Sequence, residues 1–238
     1  VYLFPIVSIF LSFYLKKNIE PKSSVSDASD ISLSESNMNS SFGRLGIQIK
    51  RLIGIMLFYG LSTYLVIIIS FNLPFLMKEY GFSSGISGIM ISLFFLAIMA
   101  PGLILNKIIE RLGNLTEFCS MLSIAVGILL IFIFRTEWLI GLGCILAGLG
   151  YGVIQPIAYD KTTRTAIPQK VTLALAFVMS MNYLAILLCP FIIDTIKDIL
   201  NIETQQFAFI FNMIIAVITA LFTYLKRNTF LFRDIYEK

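Results

Sequence analysis

Six times between residues 52 and 225 the chain runs for about 20 residues with almost no Asp, Glu, Lys or Arg. The runs cover roughly 52–76, 85–105, 115–134, 139–159, 169–193 and 207–225. A helix needs about 20 apolar residues to cross a hydrocarbon core of about 30 Å. Without water there, every backbone N–H and C=O must be paired inside the segment. A succession of such runs therefore has one physical solution, a bundle of membrane-crossing helices. A shorter seventh run, "VYLFPIVSIFLSFYL", covers residues 1–15 and opens directly at Val1. A fragment or processed chain is expected from that start. Composition agrees with the membrane assignment: 58% of residues are hydrophobic and 13% charged, against about 45–50% and about 25% in soluble domains. Pro74, Pro101, Pro156 and Pro190 are expected near span ends, where a missing N–H costs least.

The basic residues set the expected orientation. Lys16, Lys17, Lys22, Arg44, Lys50, Arg51, Lys107, Arg111, Lys161, Arg164, Lys170, Lys226, Arg227, Arg233 and Lys238 fall on one face. Only Lys78, Arg135 and Lys197 fall on the other. The excess of Lys and Arg marks the cytoplasmic side, so the C-terminus is expected in the cytoplasm. This asymmetry also accounts for the sequence pI of about 8.9, and no nucleic-acid partner is inferred from it.

Residues 16–51 form the one polar interruption. Their Ser-rich stretch "NIEPKSSVSDASDISLSESNMNSS" cannot bury enough apolar surface to offset its ordering entropy and reads as a flexible cytoplasmic linker. The domain plan is thus 1–15 as the end of a preceding helical half, 16–51 as linker, 52–225 as a six-helix transmembrane unit and 226–238 as a cytoplasmic tail. The six runs divide into two triplets, 52–134 and 139–225. Because three is odd, the second triplet lies inverted relative to the first, a plan common among secondary transporters.

Certain stretches resemble a known family. "GFSSGISGIMISLFF" (81–95) resembles the start of the second helix of a half in the major facilitator superfamily. The following loop in that family reads G-x-L-A-D-R-x-G-R-K. Here Asn106, Glu110, Arg111 and Gly113 occupy its leading, acidic, basic and turn-glycine places. Asn106 replaces the leading glycine, and Asn114-Leu115 replaces the closing basic pair. "GLGCILAGLGYGVIQP" (141–156) is similar to the family's glycine-rich tenth helix. The resemblance implies an all-α membrane fold, residues 1–15 being the sixth helix of a twelve-helix transporter and 52–225 helices seven to twelve. It further implies a partner in the N-terminal half of the same transporter. In the family the motif's acid binds a helix N-terminus across the two halves and latches the outward-facing state, a role that falls to Glu110. Being adjacent, Glu110 and Arg111 do not face each other on a helix. A solvated loop obeying the charge rule is the alternative reading of the same residues.

Uncharged polar residues inside spans are the candidates for a solute path. Tyr59, Thr63, Asn72, Tyr151, Gln155 and Asn182 qualify, with Ser62 and Tyr183 beside them. In the family the seventh and tenth helices line the path, which favours Tyr59, Thr63, Tyr151 and Gln155. Gly148 and Gly152 form a GxxxG pair suited to close helix packing. No acid sits mid-span to serve as a proton carrier.

An enzyme is not expected. The chain has no His, and no intramembrane carboxylate pair or activated nucleophile can be assembled. Cys119, Cys144 and Cys189 are far apart within apolar runs, like small buried hydrophobes rather than metal ligands. No cofactor or metal is called for. The expected function is a secondary transporter moving a small, unidentified solute by alternating access across a cytoplasmic membrane, of which a bacterial inner membrane is the type; efflux members are the loosest fit. A seven-helix receptor without transport is the alternative. Against it, 207–225 has no Lys for a retinal Schiff base, and neither Asp-Arg-Tyr nor Asn-Pro-x-x-Tyr is present. A reporter fused after Lys238 should face the cytoplasm; its appearance on the outer face would overturn the orientation.

Overall fold

The computed structural model describes residues 46–202, 204–229 and 231–233. The expected first span (1–15) and residues 16–45 of the expected linker lie outside them. Five helical stretches are long and apolar enough to cross a membrane. One of these, Ser84–Ile133, is 50 residues long, far more than a bilayer core requires. It breaks at a short 3-10 turn, Gly113–Leu115. The described residues therefore hold six α-helices: α1 (Ile49–Glu79), α2 (Ser84–Leu112), α3 (Thr116–Ile133), α4 (Glu137–Thr163), α5 (Val171–Leu200) and α6 (Gln206–Leu225).

Each helix matches one apolar run, and most extend past it. An apolar run records the depth of hydrocarbon, whereas a helix continues into the interface until a residue stops it. At the end of α1 the stop is Gly81, with φ +85. The Gly81 amide donates to the Lys78 carbonyl and the Phe82 amide to the Met77 carbonyl, the paired closure of a left-handed helix cap. The prolines lie near the ends of their apolar runs, but the helices continue past them. Pro74, Pro101, Pro156 and Pro190 all lie inside helices. In α2 the helix bends three residues after Pro101, where Ile104 has φ −126 and ψ 15. A proline lacks its own N–H and crowds the carbonyl of residue i−4, and kinks of this kind are attributable to it.

The packing supports the inverted-triplet plan. α1, α3 and α5 begin at the end of the bundle where α2, α4 and α6 finish, the near end. α2 lies along α4, with Gly141 against Met90, Gly148 against Phe94 and Gly152 against Ile98. α5 lies along α1 in the same parallel manner, with Met181 against Gly60 and the Cys189 thiol donating to the Tyr64 carbonyl. Exchanging α1 with α4 and α2 with α5 maps one pairing onto the other. α1 and α4 form the centre: 61% of the apolar window of each is buried, against 17% for α5. The outward faces carry large apolar side chains such as Leu103, Met99 and Phe191, suited to lipid.

α4 is where the backbones approach most closely. A Cβ on Gly148 would stand 2.5 Å from the Phe94 carbonyl oxygen, and one on Gly152 would overlap that of Ile98. On its other side, a Cβ on Gly143 would stand 2.6 Å from the Gly127 carbonyl oxygen of α3. Gly148 and Gly152 thus face α2, while Gly143 and Gly150 face α3. In lipid, where apolar surface gives little reason for helices to associate, such contact is the main source of packing energy. Gly152→Ala should cost about 1–3 kcal/mol because backbone must move. Gly88→Ala, where a Cβ meets nothing within 4 Å, should be neutral or slightly stabilising. Thermal unfolding of the two variants in detergent measures the difference.

Candidate functional site

Tyr59 and Thr63 are one helical turn apart on α1, and Tyr151 and Tyr159 two turns apart on α4. The antiparallel crossing of these two helices brings their faces together, and α5 closes the group with Asn182. The Tyr59 and Tyr159 hydroxyls are 3.2 Å apart. Thr63 Oγ1 lies 2.9 Å from the Tyr151 hydroxyl and donates to Asn182 Oδ1 at 2.6 Å or to the Tyr59 carbonyl at 3.0 Å. Tyr151 donates to the Tyr59 hydroxyl at 3.3 Å or to Asn182 Oδ1 at 3.2 Å. The rings of Tyr59 and Tyr151 are nearly parallel, with centroids 6.2 Å apart.

Three properties follow. The cluster links three helices through neutral groups only. Thr63 and Tyr151 each have one hydroxyl proton and more than one acceptor in reach, so several bonding arrangements fit one set of atoms. Asn182, half-buried, turns its carbonyl oxygen towards Thr63 and Tyr151, which directs its NH2 donors away from them. Tyr59 and Tyr151 are buried, while Tyr159 and Asn182 are half-buried and form the accessible edge.

Of the sequence candidates, Tyr59, Thr63, Tyr151 and Asn182 are therefore brought together. Gln155 is half-buried on the α4 face between Tyr151 and Tyr159, at the i+4 spacing that shares a face. Asn72 is half-buried but nine residues beyond Thr63, about 13 Å along α1, and is not part of the cluster. Ser62 turns to α3, with its hydroxyl on the Phe58 carbonyl and 3.6 Å from Met121 Sδ. Tyr183 is 69% exposed on the outer face of α5. Tyr159 was missed by the sequence reading, although the spacing Tyr151-Gln155-Tyr159 signals one helical face.

The motif residues adopt a different setting from the expected loop. Asn106, Glu110 and Arg111 are helical, in the last turns of α2 beyond the bend, and all three are exposed. The chain turns only at Gly113, with φ +50, where a Cβ would meet nothing. Glycine is needed there for its backbone angle and not for space. The loop was expected because a charged stretch between apolar runs reads as a break, yet Lys107, Glu110 and Arg111 are good helix formers.

A second group went unforeseen. Lys161, at the end of α4, is paired with Glu117 in the first turn of α3, both side chains being almost wholly buried. The Lys161 ammonium also donates to the Leu231 carbonyl at 2.6 Å. Both residues stand at the margins of apolar runs, 44 positions apart, and nothing in the sequence joins them. The charge count places Lys161 only among the basic residues of the cytoplasmic face. By contrast Arg164 and Asp160 form a half-exposed i,i+4 pair at 3.3 Å, worth little in stability. At the opposite end Arg135 lies 5.2 Å over the Tyr80 ring, whose hydroxyl donates to the Phe132 carbonyl. Burial raises the Tyr80 phenol above its ordinary range, with Arg135 pulling the other way.

In comparison with known proteins, the family model of the Major Facilitator Superfamily matches residues 52–231. The match begins in α1, takes in every later helix and ends at Leu231, the residue whose carbonyl Lys161 holds. No curated protein matches the chain.

Breaking a buried ion pair from one side is strongly destabilising, at about 3–5 kcal/mol. Lys161→Met and Glu117→Leu should each destabilise to that extent. The double variant should lose clearly less than the sum, as a double-mutant cycle by chemical unfolding in detergent would measure; strict additivity would deny the coupling.

Proposed function

The chain belongs to the major facilitator superfamily, a family of membrane transporters, and we propose that it moves a small solute across a cytoplasmic membrane by alternating access. The observation that carries this reading is the Tyr59-Thr63-Tyr151-Asn182 cluster. Polar groups are expensive in a bilayer, and these are concentrated where α1, α4 and α5 meet while the outward faces are apolar. The inverted packing of the two triplets supports alternating access, because such folds rock one repeat against another about a site between them.

In this reading the solute replaces bonds within the cluster. It enters at the half-buried edge and is met by the Asn182 amide, the Tyr159 hydroxyl and Gln155. The side chains that make up the cluster are all uncharged, which favours a solute that binds through neutral hydrogen bonds. In this reading Glu110, exposed beyond the bend of α2, is the latch, accepting from a helix N-terminus of a second helical half. The near end, with most of the basic residues, faces the cytoplasm.

The test is solute flux in vesicles carrying the complete gene product, screened over neutral polar solutes. Saturable flux is expected. Thr63→Val, which keeps the volume but removes the hydroxyl, should lower the initial rate about tenfold, equivalent to ~1.4 kcal/mol, with unchanged protein level. A Thr63→Val rate equal to that of the parent would remove the cluster from the path. Ligand-dependent signalling without any flux would replace transport by a receptor role.

A further inference from the structure

We propose that the described residues after α6, 226–229 and 231–233, form a strap, pinned by the buried Lys161, that holds α1 and α4 together beneath the Tyr59–Tyr159 contact. The chain does not leave the bundle when α6 ends. The Thr229 amide donates to the Lys226 carbonyl, and the amides of Phe232 and Arg233 both donate to the Thr229 carbonyl, folding the chain back on itself. Phe232 is then 1% exposed, a large apolar side chain buried beyond the last membrane helix. It lies edge-on to Phe58 of α1 at 5.2 Å and to Phe222 of α6 at 6.0 Å. Leu231 packs against Gly54 of α1, and its carbonyl accepts from Lys161 of α4.

Lys161 is the residue that makes this more than a packed tail. One acceptor, Glu117, would suffice to pair its charge. It holds a second, a main-chain carbonyl of the strap, so the ion pair between α3 and α4 is joined to the chain end by the same ammonium. Four helices meet there: α1 through Phe58 and Gly54, α3 through Glu117, α4 through Lys161 and α6 through Phe222. Two belong to each triplet. The two attachments also adjoin the polar cluster. Phe58 precedes Tyr59, and Lys161 follows Tyr159 by two residues. Drawing Phe58 and Lys161 onto one strap sets the distance between α1 and α4 at the point where the two tyrosine hydroxyls meet. Separating the helices there would open the cluster to the near end, so release of the strap must accompany that opening. Lys161 is a positioning residue in this device and touches no solute.

Hydrogen exchange of the full chain in lipid nanodiscs tests the strap with three variants: Lys161→Met, Phe232→Ala and a chain ending at Thr229. In each, the near-end amides of α4 (Tyr159–Thr163) should exchange about tenfold faster than in the parent. In the first two, the Phe232 and Arg233 amides should quicken likewise. The far-end amides of Gly81 and Phe82 should keep their parent rates. Glu117→Gln removes the ion pair but leaves Lys161 able to hold the Leu231 carbonyl, so its Phe232 and Arg233 amides should exchange more slowly than those of Lys161→Met. Faster exchange confined to the tail would overturn the proposal, because the strap would then be a passenger. Unchanged tail rates in Lys161→Met and Phe232→Ala would overturn it too. So would loss of far-end protection in the chain ending at Thr229, since the segment would then be a requirement of folding and not a device acting on one end.

Discussion

The close approach of α4 to its neighbours is the contact on which the bundle rests. Inside a bilayer the hydrophobic effect no longer draws helices together, and association depends on how near their backbones can come. Gly148 and Gly152 bring α4 onto the carbonyls of α2, and Gly143 brings it onto Gly127 of α3. A helix so seated on two sides leaves its remaining faces to α1 and α5, and the polar cluster forms on that face. The glycines thus decide where Tyr151 and Tyr159 point, although none of them touches the cluster.

Fold and site were legible to different degrees. Charge-free length located all six helices, because it measures hydrocarbon depth directly. It missed the ends, since interfacial residues such as Lys107 and Glu110 are at ease in a helix and carry no signal that the membrane has been left. For the same reason the prolines near the ends of the apolar runs fall inside helices, where neighbours or a bend absorb the missing N–H. Four of the six path candidates converge because polar groups in lipid must find one another. Asn72 does not, and its polarity alone gave no distance along α1. The Glu117–Lys161 pair was invisible for the opposite reason. Each residue looked like an ordinary interfacial charge, and only the antiparallel crossing of α3 and α4 makes them partners.

The two polar groupings obey different physics. The ion pair joins two buried charges, and removing either partner is costly. Its location at the near end, bound to the Leu231 carbonyl, suits a fixed joint. The cluster is neutral, and no single bond in it is indispensable.

That difference bears on what recognition costs. The Thr63 hydroxyl has one proton and three acceptors in reach, Asn182 Oδ1, the Tyr59 carbonyl and the Tyr151 hydroxyl, and Tyr151 stands in the same position. The bonding pattern is therefore degenerate, like a lattice with several equivalent proton orderings. A guest hydroxyl that occupies one acceptor does not tear the lattice; it selects an ordering already available. In the proposed solute path, such a site would give up a little configurational freedom instead of a bond, and would accept and release a guest with little change in the protein's internal energy.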